Sequence, residues 1–307
     1  MTSNFQPPNA AKHPLLGIFW FLLSLVVCSG NDVLMKYLGS DFHSVQIVFL
    51  RYFFGTLSLL PWMIFSKKEA FRTRRIGFYV LRGVLLFGGV CLWCYGLRTT
   101  PIAVASSFDF SIHILTMLLA IPFLGERISA RRWAVAGLGF LGVWIVLHPV
   151  QNSFPLQPAV WMMAAALMFA YLDILNKKYL SQEGVLTMLF YTALLTLLLA
   201  TVPALRVWKL VPPGPMLLFF ALGCGANLIL YCILKAFEQV EVSAVVPFRY
   251  LELILAALFG YLFFGEGLSL RLFLGASVIA LSSLYLAWEE LRETKGLGQN
   301  HSPSSCC

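Results

Sequence analysis

The sequence predicts an all-α membrane protein of ten transmembrane helices, arranged as two inverted five-helix repeats. Three observations support this prediction: an apolar composition, apolar segments of about 20 residues along the whole chain, and an internal repeat. Of the 307 residues, 59% are hydrophobic and only 12% are charged, whereas soluble domains contain about 25% charged residues. With a mean hydropathy of +0.81, the chain has little room for a soluble domain.

Ten apolar segments are each long enough to cross a hydrocarbon core of about 30 Å at about 1.5 Å per residue. We place them at residues 14–36, 45–65, 76–97, 101–123, 131–149, 158–178, 185–203, 215–236, 242–264 and 270–288. The expected units are a polar tail at 1–13, a first repeat at 14–149, a second repeat at 158–288 and a C-terminal tail at 289–307.

The basic residues are distributed unequally between the two sets of loops. Fourteen lie in the tails and in the loops after even-numbered segments, and five lie in the opposite loops. Because cytoplasmic loops carry an excess of Lys and Arg, both termini are expected in the cytoplasm. The net charge of +8 then reflects membrane topology, so we expect no nucleic-acid partner.

An internal repeat relates the two halves at an offset of 140 to 141 residues. The matching residues of segments 1 and 6 are Trp20, Asp32 and Lys36 with Trp161, Asp173 and Lys177. A Leu-Gly-Glu motif at 124–126 matches Phe-Gly-Glu at 264–266. Five helices is an odd number, so the second repeat must enter the membrane from the opposite side. Inverted repeats are typical of secondary transporters, whose substrate sites lie near the middle of the lipid bilayer.

Sequence motifs for catalysis or cofactor binding are weak. A Gly-x-Gly-x-x-Gly pattern at 137–142 lies in an apolar segment with no preceding strand, and no Walker A motif is present. Cys91 and Cys94 lack the second pair or the histidine that a metal site requires. We therefore expect no enzyme activity, no cofactor and no metal ion, and transport driven by gradients or exchange.

Charged residues inside the segments are the main candidates for function, since each costs at least about 2.5–3.5 kcal/mol at the centre of a membrane helix. Arg82 and Lys235 are expected to extend to the cytoplasmic face. Asp109, Arg249 and Glu252 are too far from either face. Asp109 and Arg249 are repeat equivalents, and Arg249 and Glu252 share a helix face. They form either an ion-paired core or the lining of a hydrated cavity that binds a charged solute.

Aromatic and amide side chains near these charges are the other candidate substrate contacts. They are Trp93, Asn227, Tyr231, Phe248 and Tyr250. Aromatic rings can stack on a planar ligand or hold a cation against their faces, and the amide adds a hydrogen-bonding group. We predict that this set surrounds the solute.

Two acid and lysine pairs are spaced four residues apart and are repeat equivalents. They are Asp32 with Lys36 in segment 1, and Asp173 with Lys177 in segment 6. Such spacing places both side chains on one helix face. The pairs are expected near opposite membrane faces, where they act either as alternating gates or as helix-end ion pairs.

Two motifs resemble the EamA type of the drug/metabolite transporter superfamily. They are Leu-Gly-Glu-Arg-Ile-Ser at 124–129, followed by Gly137 to Gly142, and Phe-Gly-Glu-Gly-Leu-Ser at 264–269. The resemblance covers essentially the whole chain. It implies a ten-helix carrier of the bacterial inner membrane, whose substrate is a small molecule.

Further stretches resemble a narrower group, the S-adenosylmethionine uptake transporters of obligately intracellular bacteria. Among them are Asn31-Asp-Val, Asn176-Lys-Lys178 and the segment from Pro247 to Leu253. This resemblance implies import of S-adenosylmethionine, with S-adenosylhomocysteine as an exchange partner, and export of amino acids or drugs is the alternative. Arg249 would bind the carboxylate, and Glu252 would face a cation. Asp109 departs from the group's pattern and is supported by its charge alone. A homodimer is one alternative for the oligomeric state.

Overall fold

A computed structural model describes residues 14–65, 75–99, 102–126, 128–147, 156–180, 183–240 and 251–265, with a few single residues such as Val245 and Phe248. Every regular element in this part of the chain is an α-helix. In chain order the helices are α1 Pro14–Gly39, α2 Ser44–Phe65, α3 Ile76–Thr99, α4 Ile102–Leu124, α5 Ala130–Leu147, α6 Leu156–Leu180, α7 Val185–Arg206, α8 Pro213–Gln239 and α9 Leu251–Phe264.

Six of these helices, α1, α2, α3, α6, α7 and α8, have the length and apolar composition needed to cross a membrane. The prediction of an all-helical, multi-pass membrane protein is therefore confirmed. Helices α1 to α8 begin and end within three residues of the predicted segments. Much of the predicted segment 270–288 and the start of segment 242–264 lie outside the described residues, so the number ten stays a prediction.

The helices pack in pairs that follow the internal repeat. Helix α1 packs most extensively on α8, and its counterpart α6 packs on α3 in the same way. The pairs α2–α8 and α7–α3 are likewise equivalent, as are α4–α6 and α9–α1, while α2 and α7 pack directly on each other. The two halves therefore interleave, so a central cavity must be lined by both.

The repeated Gly-Glu motifs end α4 and α9 in the same way. Gly125 and Gly265 have φ of 67° and 66°. Their N–H groups donate to the carbonyls of Ile121 and Tyr261, each at 3.1 Å. This left-handed conformation favours glycine and satisfies a carbonyl at the end of the helix. The motif is thus a repeated helix stop.

Helices α2 and α8 cross at two glycines, with almost no space between their backbones. A Cβ atom at Gly223 would lie 2.6 Å from the Arg51 carbonyl oxygen and 2.6 Å from the Gly55 nitrogen. Asn227 Nδ2 donates to the Gly55 carbonyl at 2.7 Å and to Ser58 Oγ at 3.0 Å. This crossing holds Arg51 beside the interior of the bundle.

Candidate functional site

A cavity of about 190 Å³ lies between the two halves of the bundle. It is lined by α1, α2 and α3 with Ile112 of α4, and by α6, α7 and α8 with Glu252 of α9. Among the described residues, five charged side chains line it: Asp32, Arg51, Arg82, Asp173 and Glu252. All five are at most 9% exposed. Buried charges in a membrane protein are costly unless they meet water, a partner or a solute, so this cavity is the strongest candidate for a binding site.

One part of the cavity is rich in acid groups. Cys28 Sγ and carboxylate oxygens of Asp32 and Glu252 lie within 4.8 Å of one another. Trp93 Nε1 donates to Asp32 Oδ1 at 3.0 Å, and the Arg51 guanidinium interacts electrostatically with the same carboxylate. The indole hydrogen bond fixes both the ring and the acid at the cavity wall.

These donors suit an organic cation better than a metal ion. Two hard carboxylates and one soft thiol do not form the donor set that a single class of metal prefers. An organic cation needs only nearby negative charge and an aromatic face. Asp32 and Glu252 supply the charge, and Trp93 supplies the ring.

The antiparallel packing of α3 and α6 separates the charged groups along the cavity. The Trp93 ring lies 6.3 Å from that of Phe169, and the Phe78 ring lies 4.3 Å from that of Tyr179. Arg82 precedes Trp93 by 11 positions, which is about 16 Å of helix. It therefore lies toward the Phe78–Tyr179 end, away from the acid-rich part.

Arg82 is fully enclosed at that end. It is 1% exposed, and its Cζ lies 5.4 Å from the centroid of the Phe78 ring. Its Nε and Nη1 atoms make no hydrogen bond to any residue that the structure describes. The expectation that Arg82 extends to the cytoplasmic face is wrong, because packed helices surround it. Lys235, by contrast, is 31% exposed and pairs with Glu238 at 2.8 Å.

Three of the predicted substrate contacts line the cavity: Trp93, Asn227 and Glu252. Both hydrogen bonds from Asn227 Nδ2 go to α2, so this amide mainly joins two helices. Trp93 and Glu252 belong to the acid-rich part. The structure thus gives Asn227 a structural role beside its place in the cavity wall.

The other predicted contacts lie elsewhere or outside the described residues. Tyr231 is not among the lining residues, and its ring packs edge-on against a tryptophan of α1 at 5.7 Å. Phe248 is 3% exposed and belongs to an apolar cluster formed by residues of α1, α4, α5, α6 and α8. Arg249, Tyr250 and the side chain of Asp109 lie outside the described residues. Their roles stay predictions.

The two predicted gate pairs differ in their surroundings. Asp32 and Asp173 both line the cavity. Lys177 Nζ donates to two carbonyls at the C-terminal end of α8, at 2.5 and 2.8 Å, where a cation is favoured by the helix dipole. Lys36 Nζ lies 4.8 Å from the ring of the last residue of α9. The gating role stays a prediction.

Two asparagines of the cavity were not predicted from the sequence. Asn31 and Asn176 are each 4% exposed and line the cavity. Asn31 Nδ2 and Asn176 Oδ1 have no hydrogen-bond partner among the described residues. Asn31 is adjacent to Asp32, and Asn176 lies one helical turn after Asp173, so proximity to buried acids was the available signal.

A helical bundle of interleaved repeats around a buried, charged cavity defines a membrane transport protein. The sequence profile of the EamA-like transporter family matches residues 15–148 and again residues 156–288. This chain therefore belongs to the EamA-like transporter family, as the resemblance predicted.

Several known proteins are similar over nearly their whole length. The "S-adenosylmethionine uptake transporter" of Rickettsia felis is 40% identical over 295 residues, or 95% of this chain and 98% of that protein. That of Rickettsia prowazekii is 40% identical over 92% of this chain and 96% of its own. The "Riboflavin transporter" of Vibrio cholerae is 27% identical over 92% of this chain and 96% of that protein. A solved crystal structure is 17% identical to this chain, with a TM-score of 0.72. The match covers 89% of this chain and 95% of that protein, and it shows the shared fold alone.

Proposed function

We propose that this protein is a secondary transporter that imports S-adenosylmethionine across the bacterial inner membrane by alternating access. The observation that carries the proposal is the buried cavity, which combines acids, arginines and aromatic rings. Identity of 40% over nearly the whole chain to transporters named for this solute supports it.

The cavity chemistry corresponds to the groups of S-adenosylmethionine. This solute carries a sulfonium cation, an ammonium cation, a carboxylate and an adenine ring. Asp32 and Glu252 attract cations, and Trp93 with Phe169 forms an aromatic wall. A guanidinium in the cavity can hold the carboxylate through two parallel hydrogen bonds.

Riboflavin is the main competing solute, because transporters named for it are also similar to this chain. Riboflavin is neutral, so it would leave the cavity charges without compensation. The five charged side chains that the structure describes in the cavity wall are at most 9% exposed and favour a charged solute instead. An exported amino acid would fit the charges but would leave the aromatic wall unused.

The transport cycle that we propose needs the full predicted architecture. It uses ten helices in two inverted repeats, with both termini in the cytoplasm, and S-adenosylhomocysteine as the exchange partner. The equivalent helix contacts of the two halves support such an exchange of conformations. Arg249 and Tyr250 are proposed to contribute from the predicted segment 242–264, and Asp109 from α4. A homodimer stays a prediction.

A counterflow measurement in proteoliposomes tests the solute. Vesicles are loaded with S-adenosylmethionine, S-adenosylhomocysteine, methionine or riboflavin, and uptake of labelled S-adenosylmethionine is followed. We expect transient accumulation with the first two internal solutes only. The Glu238→Gln variant, which changes an exposed acid, should behave like the wild type. Uptake of labelled riboflavin and of labelled methionine is followed in parallel vesicles, and accumulation of either one without S-adenosylmethionine counterflow would refute the proposal.

A further inference from the structure

We propose that Arg82 binds the carboxylate of the transported solute. The inference rests on the proposed function, and it assigns the carboxylate to Arg82 in place of Arg249, which lies outside the described residues. Arg82 lines the cavity, is 1% exposed, and leaves Nε and Nη1 without hydrogen bonds to the described residues. Buried guanidinium groups are stable only when an anion or hydrogen-bond acceptors reach them.

The neighbours of Arg82 do not supply that anion. The ionisable groups that interact with Arg82 in the described ranges include the phenols of Tyr79 and Tyr52, which are neutral near pH 7. Tyr79 Oη donates to Glu183 Oε2 at 3.1 Å, so the nearby acid is already engaged by the phenol. The Phe78 ring covers another side of the guanidinium. A carboxylate that enters through the cavity would provide the missing acceptor.

Arg51, the second arginine among the described residues that line the cavity, is in a different electrostatic situation. Its Nη1 donates to Met35 Sδ at 3.0 Å, and its charge interacts with the Asp32 carboxylate. An acid of the protein therefore already offsets the charge of Arg51. Of these two described arginines, Arg82 is therefore the one that needs a solute anion.

The internal repeat supports the same assignment. At an offset of 140 residues the counterpart of Arg82 is Leu222, which is fully buried. The neighbouring pair, Gly83 and Gly223, occupies equivalent helix crossings in the two halves. The scaffold thus accepts leucine at this place. Helix packing therefore does not require a charge at this position. The charge of the buried Arg82 indicates that it binds a ligand.

The solute would then lie along α3. Its carboxylate would occupy the end near Phe78, and the remainder would extend toward Trp93 and the acid-rich part of the cavity. In this orientation the solute carboxylate contributes to binding affinity only through its contact with Arg82. The dependence can be measured with a solute that lacks the carboxylate.

The test compares binding of S-adenosylmethionine with that of its decarboxylated analogue, by titration of the purified full-length protein. We expect the wild type to prefer the carboxylated ligand by about tenfold to a hundredfold, as for a hydrogen-bonded charge pair. Arg82→Gln should abolish the preference and bind the analogue within about twofold of the wild type. Arg82→Lys should restore part of the preference, because it keeps the charge. Arg51→Gln, the matched control, should keep the preference.

Each other outcome overturns a definite statement. If Arg82→Gln keeps the preference, or Arg51→Gln loses it, the carboxylate lies elsewhere and the inference fails while the proposed function stands. If the folded wild type binds neither ligand, the proposed function fails. In a further outcome, chloride stabilises the ligand-free wild type but not Arg82→Gln, and S-adenosylmethionine and its decarboxylated analogue bind equally well. Arg82 then binds a free anion, and the inference fails. If Arg82→Gln does not fold, Arg82→Leu, which copies the counterpart residue, replaces it.

Discussion

Replacing Gly223 with alanine should separate α2 from α8 and destabilise the protein. The new Cβ would lie 2.6 Å from two backbone atoms of α2, which is about 0.8 Å closer than the 3.4 Å at which ordinary contact begins. Backbone atoms cannot rotate away as a side chain can, so the helices themselves must move. The same shift would lengthen the 2.7 Å hydrogen bond from Asn227 to the Gly55 carbonyl beyond bonding distance.

The expected cost follows from these two effects. Overpacking of a close-packed interior costs about 1–3 kcal/mol, and the lost hydrogen bond costs about 1 kcal/mol more. A gain of up to about 1 kcal/mol from better helix propensity opposes this cost. We therefore expect a net loss of about 1–3 kcal/mol and a Tm lowered by several degrees for Gly223→Ala in detergent.

Two control variants isolate the clash from the effect of alanine itself. A Cβ at Gly30 meets no described atom within 4 Å, so Gly30→Ala should be neutral or stabilising. Gly83 is the repeat counterpart of Gly223, but its Cβ would contact Leu195 and Leu199 side chains at 3.3 Å. Gly83→Ala should therefore cost less than Gly223→Ala. Equal Tm values for the Gly30 and Gly223 variants would refute the tight crossing of α2 and α8.

Three further predictions address helix ends, the cavity wall and topology. Lys177→Met should lower the Tm and leave solute affinity unchanged, because two carbonyls at the end of α8 lose their hydrogen-bond donor. A normal Tm with lost transport would instead support a role of Lys177 in gating. Trp93→Phe should weaken binding up to about tenfold by removing the hydrogen bond to Asp32, which titration measures, and unchanged affinity would contradict that role. Reporter fusions should place both termini in the cytoplasm, and an external C-terminus would contradict ten helices.

The helices were predictable because their apolar segments are determined locally. Segment ends correspond to clusters of charge, proline and glycine, and the repeated stops at Gly125 and Gly265 are visible as a motif. Trp93 and Glu252 line the cavity, as a buried charge and its aromatic neighbours have few stable locations in a membrane, and their role as substrate contacts stays a prediction. Local composition therefore carries most of the fold.

The environment of Arg82 could not be predicted in this way. It lies six residues after the start of α3, a distance from which a long side chain often extends to the interface. Which direction it takes depends on whether lipid or protein covers that face of the helix. Helix α3 carries apolar residues on all sides, so the sequence has no periodicity that identifies the buried face. Only the packing of α6 and α7 against α3 decides it.

Glu252 tests whether the acid-rich part of the cavity responds to the charge of the solute. Its repeat counterpart is Ile112, and both line the cavity, so this acid, like Arg82, is an addition to the repeat scaffold. Carboxylate oxygens of Glu252 and Asp32 lie within 4.8 Å of each other, so a cationic solute beside them would lower the repulsion between the two acids. We expect Glu252→Gln to keep its Tm and to lose more affinity for cationic S-adenosylmethionine than for S-adenosylhomocysteine, which lacks the sulfonium charge. Equal losses for both ligands with a lowered Tm would show that Glu252 serves the fold, because removing a structural ion-pair partner strands a buried charge.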